Sequence, residues 1–283
     1  MALMQFPAFE PSSATKLRVL SLGAGVQSTA LALMAAHGEI GPMPDCAIFA
    51  DTGWEPKPVQ DHLAWLASPN VLPFPVYQVN SGNIRDDIMN WSNTTGGGFS
   101  AVPWFLKNPD GSGGLGRRQC TSEYKLKPIM HKLRDLLGVE RRSRIPADAV
   151  EVWIGISTDE ILRMKPSQTR WQRNRWPLIE RDMTRQDCLN WVEQKGYPKP
   201  PKSSCIGCPF HSDATWRDMK ENRPDEWADA VVVDAALRQG QARGLRGIPY
   251  MHSQCVPLSE VRLSHDDRVP DLFNNECEGM CGV

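Results

Sequence analysis

The chain has 283 residues, enough to bury a large core in one domain or in one domain with an appendage. Its 32 Lys and Arg against 33 Asp and Glu leave a net charge of -1, which excludes a uniformly basic nucleic-acid platform but not local basic patches. No run approaches the ~18 apolar residues of a membrane span, and the first twenty residues, MALMQFPAFEPSSATKLRVL, lack the basic and apolar regions of a signal peptide. The expectation is a cytoplasmic protein without a membrane partner, in which eight cysteines read as metal ligands or reactive thiols rather than disulfides.

Residues 18 to 22, RVLSL, have the aliphatic character of a short buried strand, and Gly23-Ala24-Gly25 permits a tight reversal. STALALMAAHG then predicts a helix, with Ser28 or Thr29 as cap and Gly38 as stop. Strand, small-residue turn and helix N-terminus together leave backbone N–H groups facing one concave spot, which suits a phosphate. An ordinary tight connection in an α/β core is the alternative. DCAIFADTGWE predicts a second strand from Asp45 through Ala50, ending in Asp51-Thr52-Gly53. PVQDHLAWLAS reads as a helix and FPVYQVN as a third strand.

From Asn93 to Gly116 the sequence is glycine-rich and irregular, with Trp104 and Phe105 in the middle, and reads as a long loop, an active-site lid or a disordered segment, of which the aromatic pair favours the lid. AVEVWIGIS is the next strand, followed by TDEILRMK and by MTRQDCLNWVEQKG, a helix capped by Thr184 and stopped by Gly196. Beyond Pro198 come cysteine turns and short helices, DATWRDMKE and DEWADAVVVDAALRQG among them. The fold class expected is α/β, a mostly parallel sheet with flanking helices over residues 1–196, with a smaller helical, cysteine-bearing region over 197–283.

Cys205-Ile-Gly-Cys208-Pro sets two thiols on one side of a tight turn, the pattern of a redox dithiol or of half a metal site. RMKPSQTRWQRNRWP interleaves Arg163, Lys165, Arg170, Arg173 and Arg175 with Trp171 and Trp176, which suits a polyanion with stackable bases or a surface loop whose tryptophans pack inward. His62, His131 and His252 have no ligand-like spacing, and Cys46 and Cys188 fall on strand-like and helix-like segments.

SLGAGVQSTAL resembles the pyrophosphatase loop (PP-loop) of the adenine-nucleotide α-hydrolase superfamily, usually S-G-G-x-D-S. FADTGWEP, CTSEYKLKP, GISTDEILRMK, PLIERDMTRQDCLNWVEQKGYP and SSCIGC resemble, in order, blocks of its phosphoadenylylsulfate reductase branch. The resemblance spans roughly residues 18 to 211 and is similar also to the DNA-phosphorothioation ATP pyrophosphatase. It implies a Rossmann-like PP-loop fold that binds ATP or a related adenine nucleotide, with magnesium. Ser21, Gly23, Ala24, Gly25, Gln27 and Ser28 would lie around the phosphates, Asp51 and Thr52 near the ribose or metal, and Lys125 and Arg163 on phosphate. Two positions depart from the family: Gln27 replaces the acidic residue of the loop, and Ser157 the arginine of the G-[IV]-R block.

The resemblance further implies a 4Fe-4S cluster on Cys120, Cys205 and Cys208, with zinc or plain thiols as alternatives. The fourth ligand is left among Cys255, Cys277 and Cys281, or is absent. NNECEGMCGV is similar to the reductase tail E-C-G-[LI]-H at Cys277 and at Cys281 but lacks the histidine, which makes these two cysteines the candidate nucleophiles. The implied function is sulfur transfer to a DNA or tRNA acceptor through an adenylated intermediate, with a sulfur-donor protein as partner. The alternatives are sulfonucleotide reduction and a non-catalytic nucleotide-binding component.

Overall fold

Aliphatic runs buried on both faces form the centre of the molecule, as expected where helices cover a parallel sheet on both sides. The computed structural model describes residues 12–94, 101–140, 142–239 and 247–264. In chain order its elements are β1 (Leu17–Ser21), α1 (Val26–Ala36), β2 (Cys46–Asp51), α2 (Lys57–Leu66), β3 (Val76–Asn80), α3 (Ile84–Met89), β4 (Phe105–Lys107), β5 (Gly113–Leu115), α4 (Lys127–Leu136), β6 (Val150–Ile154), β7 (Gln172–Arg175), α5 (Pro177–Glu180), α6 (Arg185–Gln194), α7 (Asp213–Asn222), α8 (Pro224–Leu237) and β8 (Ile248–Tyr250). Helical turns over Thr121–Leu126 and Thr158–Arg163 precede α4 and β7.

Five strands pair in the order β3-β2-β1-β6-β7, every pair parallel. Strand alternation divides the core. Leu20, Ala47, Phe49 and Trp153 meet α1, α2 and α6 on one face, while Val19, Ile48, Val150, Val152 and Ile154 meet Ile129 and Leu133 of α4 on the other. Helix α1 is buried along nearly its whole length, which its run of Ala and Leu permits. Helix α6 opens on a reciprocal Thr184–Asp187 capping box, and Gly196 follows it at φ +74, as its sequence predicts.

A third apolar cluster joins Trp54, Ile84, Ala101, Val102, Trp104 and Tyr124 to Trp216, Met219, Ala230, Val233 and Met251 of the C-terminal region. This cluster corrects the expectation of a lid over residues 93–116. Residues 95–100 lie outside the described residues, and the remainder is structural. Ala101, Val102 and Trp104 are buried, and β4 pairs antiparallel with β5 and β8 in a small second sheet. Glycine content suggested mobility, but the aromatic and aliphatic residues between the glycines supply enough apolar surface to bind the segment down.

Part of the basic and aromatic stretch is likewise the fifth strand, β7. Arg175 is 8% exposed; its guanidinium lies 2.8 Å from Glu180, 3.6 Å from Glu151 and 4.7 Å from the Trp153 ring. It neutralises Glu151, itself 1% exposed, and so belongs to the core rather than to a polyanion surface. Removing one partner of such a group leaves an uncompensated buried charge. Arg175→Ala is expected to lower unfolding free energy by about 3 kcal/mol, and Arg170→Ala, at an exposed position, by less than about 0.5 kcal/mol, as read by urea denaturation.

Candidate functional site

The sheet order reverses beside β1: the chain proceeds outward from β1 to β2 and β3, then returns to place β6 on the other side. In open parallel sheets the crevice at the carboxyl ends of such strands is where ligands are held. Here those ends carry the turn Leu22–Gly25 after β1, Asp51-Thr52-Gly53 at the end of β2, and Gly155–Ser157 after β6.

The first turn is built differently from its sequence expectation. Helix α1 starts at Val26, with Gly25 as its N-cap and no side-chain cap, so neither Ser28 nor Thr29 caps it. The Ser28 hydroxyl instead accepts from the Gly23 N–H at 3.2 Å, drawing the turn back onto the helix and occupying that amide. The left-handed residue is Ala24, at φ +57, whereas Gly25 is extended at φ -97 and ψ -170. A small side chain at Ala24 tolerates this conformation at modest cost where a branched one does not.

Gln27 Nε2 donates to the Ser157 hydroxyl at 3.2 Å, bridging the turns after β1 and β6 across the switch point. Its Oε1 and the Ser21 hydroxyl are buried and, among the described residues, have no hydrogen-bond partner. Buried polar atoms are ordinarily paired, and these two lie beside one turn. Thr29, two residues further along α1, lies 3.0 Å from His62 Nε2, and burial pushes His62 down to about 4, leaving it neutral.

The second turn is held by Asp51 Oδ1, which accepts from the Gly53 N–H at 2.7 Å. Gly53 sits at φ +77, and a Cβ there would stand 2.9 Å from Asn83 Cα, so both conformation and space require glycine. The Thr52 hydroxyl donates to Glu55 Oε1 at 2.8 Å and lies 3.2 Å from Cys205 Sγ; that sulfur is 3.8 Å from the same Glu55 oxygen.

The cysteine turn thus reaches the sheet from the C-terminal region. Within it Cys208 N–H donates to the Cys205 carbonyl at 3.1 Å, and Ile206 N–H to the Trp54 carbonyl at 2.9 Å. His211 Nε2 is 3.0 Å and 3.1 Å from the carbonyls of Cys205 and Ile206. A carbonyl only accepts, so the ring proton is on Nε2. Burial, reinforced by the charge of Lys202, holds His211 down at about 3, a neutral imidazole bracing the turn. Just before the turn, the Ser203 hydroxyl donates to the Gly23 carbonyl, joining the cysteine segment directly to the first turn.

The structure therefore brings Ser21, Gly23, Ala24, Gly25, Gln27, Ser28, Asp51, Thr52 and Cys205 into connected turns, with Cys208 on the same turn as Cys205. Lys125 is buried on the helical turn before α4, and Arg163 pairs with Glu160. Cys120 stands at the N-terminal end of that same helical turn, its N–H donating to the Ala101 carbonyl at 2.8 Å. Among the described residues no three His, Cys, Asp or Glu side chains are grouped to hold a metal ion. Cys255 lies in the left-handed region at φ +51, and burial raises its thiol above the usual range. Cys277 and Cys281 lie outside the described residues.

Sequence reasoning missed Glu55, Ser203 and His211. Glu55 was readable as the carboxylate three residues beyond Thr52, and Ser203 as a polar neighbour of the cysteine pair. His211 had no signal, because its role depends on carbonyls that only the folded turn presents.

No protein-family model and no curated protein matches the chain. Among solved structures, a crystal structure of phosphoadenylyl-sulfate (PAPS) reductase from Candida auris, a phosphate complex, is similar at a TM-score of 0.42 and 14% identity. The match covers 70% of this chain and 78% of that one. The class defined by the strand pairing itself is a Rossmann-like α/β fold with five parallel strands and a helical C-terminal region. Among the described residues, no helix is long and apolar enough to cross a membrane.

A Cβ at Gly207 would fall 2.1 Å from the Trp54 ring, which is itself buried. Gly207→Ala is therefore expected to destabilise the protein by about 3 kcal/mol through overpacking. Gly113→Ala, where nothing lies within 4 Å of the added carbon, is expected to change stability by less than about 0.5 kcal/mol. Urea midpoints of the two variants make the comparison.

Proposed function

We propose that this protein is a PP-loop enzyme that binds ATP or a related adenine nucleotide at the turn Leu22–Ser28 and carries out sulfur chemistry on an adenylated intermediate, with a nucleic acid as acceptor. The observation that carries the reading is the contact of Ser203 with the Gly23 carbonyl and of Cys205 with Thr52, which sets a thiol-bearing turn against the nucleotide turn. The buried, unpartnered Ser21 hydroxyl and Gln27 Oε1 support it, since ribose hydroxyls and magnesium-bound water are donors that would satisfy them.

In this scheme an acceptor oxygen attacks the α-phosphorus of ATP, the bond to the β-phosphate breaks and pyrophosphate leaves. A sulfur nucleophile then displaces AMP from the activated carbon. Gln27 contributes no charge; it holds Ser157 and orders the turn, and a magnesium ion bound there would have to be held by other groups. Thr52 and Glu55 supply a hydroxyl and a carboxylate at the thiol, positioned to accept its proton. Cys120, Cys205 and Cys208 as ligands of a 4Fe-4S cluster form part of the proposal, supported by soft thiol chemistry and the placement of two of them on one turn. The cluster would supply a soft iron centre for binding sulfur.

A second reading, sulfonucleotide reduction, uses the same nucleotide turn and a tail thiol from Cys277 or Cys281. ATP titration of anaerobically purified protein is expected to show saturable binding that Ala24→Val weakens at least roughly tenfold, because a branched residue resists the left-handed backbone there. Pyrophosphate release is expected to rise on adding single-stranded DNA or tRNA. Metal analysis is expected to find iron that is lost in Cys205→Ser. Absence of ATP binding by the wild-type chain contradicts the proposal, and reduction of a sulfonucleotide abolished by Cys277→Ser with Cys281→Ser favours the second reading.

A further inference from the structure

The five-stranded sheet ends on two edges, β7 and β3. An edge strand presents a row of unpaired N–H and C=O groups, which proteins ordinarily protect from pairing with charged side chains. β7 follows that rule, since Gln172-Arg173-Asn174-Arg175 carries two arginines. β3 does not: it reads VYQVN, and residues 67–84 around it include no Asp, Glu, Lys or Arg.

The register fixes which groups of β3 are left open. Ala47 N–H donates to the Pro75 carbonyl at 2.9 Å, while Ala47 stands opposite Val76 and Phe49 opposite Gln78. In a parallel ladder every second residue turns its polar groups to the neighbouring strand, so Pro75, Tyr77 and Val79 face β2. Val76, Gln78 and Asn80 therefore turn N–H and C=O outward, and among the described residues no backbone bond from another element meets Val76 or Gln78. Gln78 and Asn80 are exposed. The strand behind these groups is held firmly: Tyr77 and Val79 pack on the face covered by α4, with Lys132 Nζ 4.1 Å over the Tyr77 ring, and Val76 packs on the opposite face.

Open groups spaced two residues apart about Gln78 are self-complementary. A two-fold axis at Gln78 sets it opposite Gln78 of a second copy, and Val76 opposite Asn80, with reciprocal N–H···O bonds at each pair. The same axis puts Tyr77 beside Val79 of the other copy, an aromatic and β-branched pair of the kind that stabilises antiparallel strands, and it brings no like charges together.

We propose that β3 pairs antiparallel with β3 of a second copy about Gln78, joining two molecules into a homodimer with one continuous sheet. The inference is independent of the proposed function. Because the nucleotide turn lies at the carboxyl ends of the strands, the two-fold axis leaves the two turns at opposite sides of the dimer.

Sedimentation velocity of the full chain is the first test. Wild type is expected to sediment as a dimer at roughly 100 μM, where an association with a Kd of about 10 μM is already mostly formed. Gln78→Lys and Gln78→Glu each set like charges face to face on the axis and are expected to weaken dimerisation at least roughly tenfold. Mixing these two variants is expected to restore a dimer containing one of each, read by native mass spectrometry. Gln186→Lys, an exposed change on α6, is expected to remain dimeric. Hydrogen exchange needs no substitution: the Val76 and Gln78 amides are expected to exchange more slowly as protein concentration rises.

A monomeric wild type overturns the proposal, and so does a dimer that both charged variants retain. Charged variants that are monomeric alone and stay monomeric when mixed overturn it as well. If melting shows that the charged variants do not fold, exchange at Val76 and Gln78 decides, and rates independent of concentration contradict the pairing.

Discussion

The indole of Trp54 sits where the turn after β2, the cysteine turn and α8 meet, and the placement of Cys205 against Thr52 depends on it. Its ring occupies the space that any side chain at Gly207 would need. Its carbonyl accepts from Ile206 inside the cysteine turn, and its Nε1–H donates to Asp229 at 2.7 Å. Arg85 grips the same carboxylate through Nε and Nη2, at 2.8 and 2.6 Å. One aromatic residue thereby ties a sheet-borne turn to α3 and to the C-terminal region, with charge-assisted bonds that fix the ring's orientation as well as its depth.

The remaining contacts act outward from that anchor. His211 holds the cysteine turn by its carbonyls, and its neutrality matters because a cation there would stand buried beside the positive charges of Lys202 and Arg223. Ser203 extends the same segment to Gly23, while Gln27 crosses to Ser157. Each bond joins turns that a parallel sheet already delivers to one edge, so the polar bonding refines a convergence that strand order created. The Ser21 hydroxyl and Gln27 Oε1, which among the described residues have no hydrogen-bond partner, lie where this network stops.

Much of this was legible in the sequence. The aliphatic runs of β1, β2 and β6, the small-residue turn and the Thr184 cap follow from local chemistry, and the alternation of strand and helix fixed the class of fold. Other features were not legible for physical reasons. The strand at Gln172–Arg175 carries charge because Glu151 and Glu180 neutralise Arg175, and a distant carboxylate leaves no local trace. Residues 101–107 read as loop because their partners, Tyr250 and the aliphatic side chains of α8, lie more than a hundred residues away. At the first turn, composition suggested that glycine takes the strained conformation, whereas the strain falls on Ala24 and the serine serves the turn rather than the helix end. The spacing of Cys205 and Cys208 announced a paired-thiol turn, but not that Thr52 and Glu55 would be its neighbours.

Nucleotide and thiol share one site in the proposed function. The most direct measurement is the rate at which a thiol reagent modifies Cys205 in the full chain stripped of iron, followed by peptide mass spectrometry, with and without saturating ATP and magnesium. Cys255, comparably exposed and in the turn after β8, serves as the internal reference. ATP is expected to slow modification of Cys205 at least roughly tenfold, a shift of about 1.4 kcal/mol in accessibility, and to leave Cys255 unchanged. Cys205 modified at the same rate with and without bound ATP would contradict it.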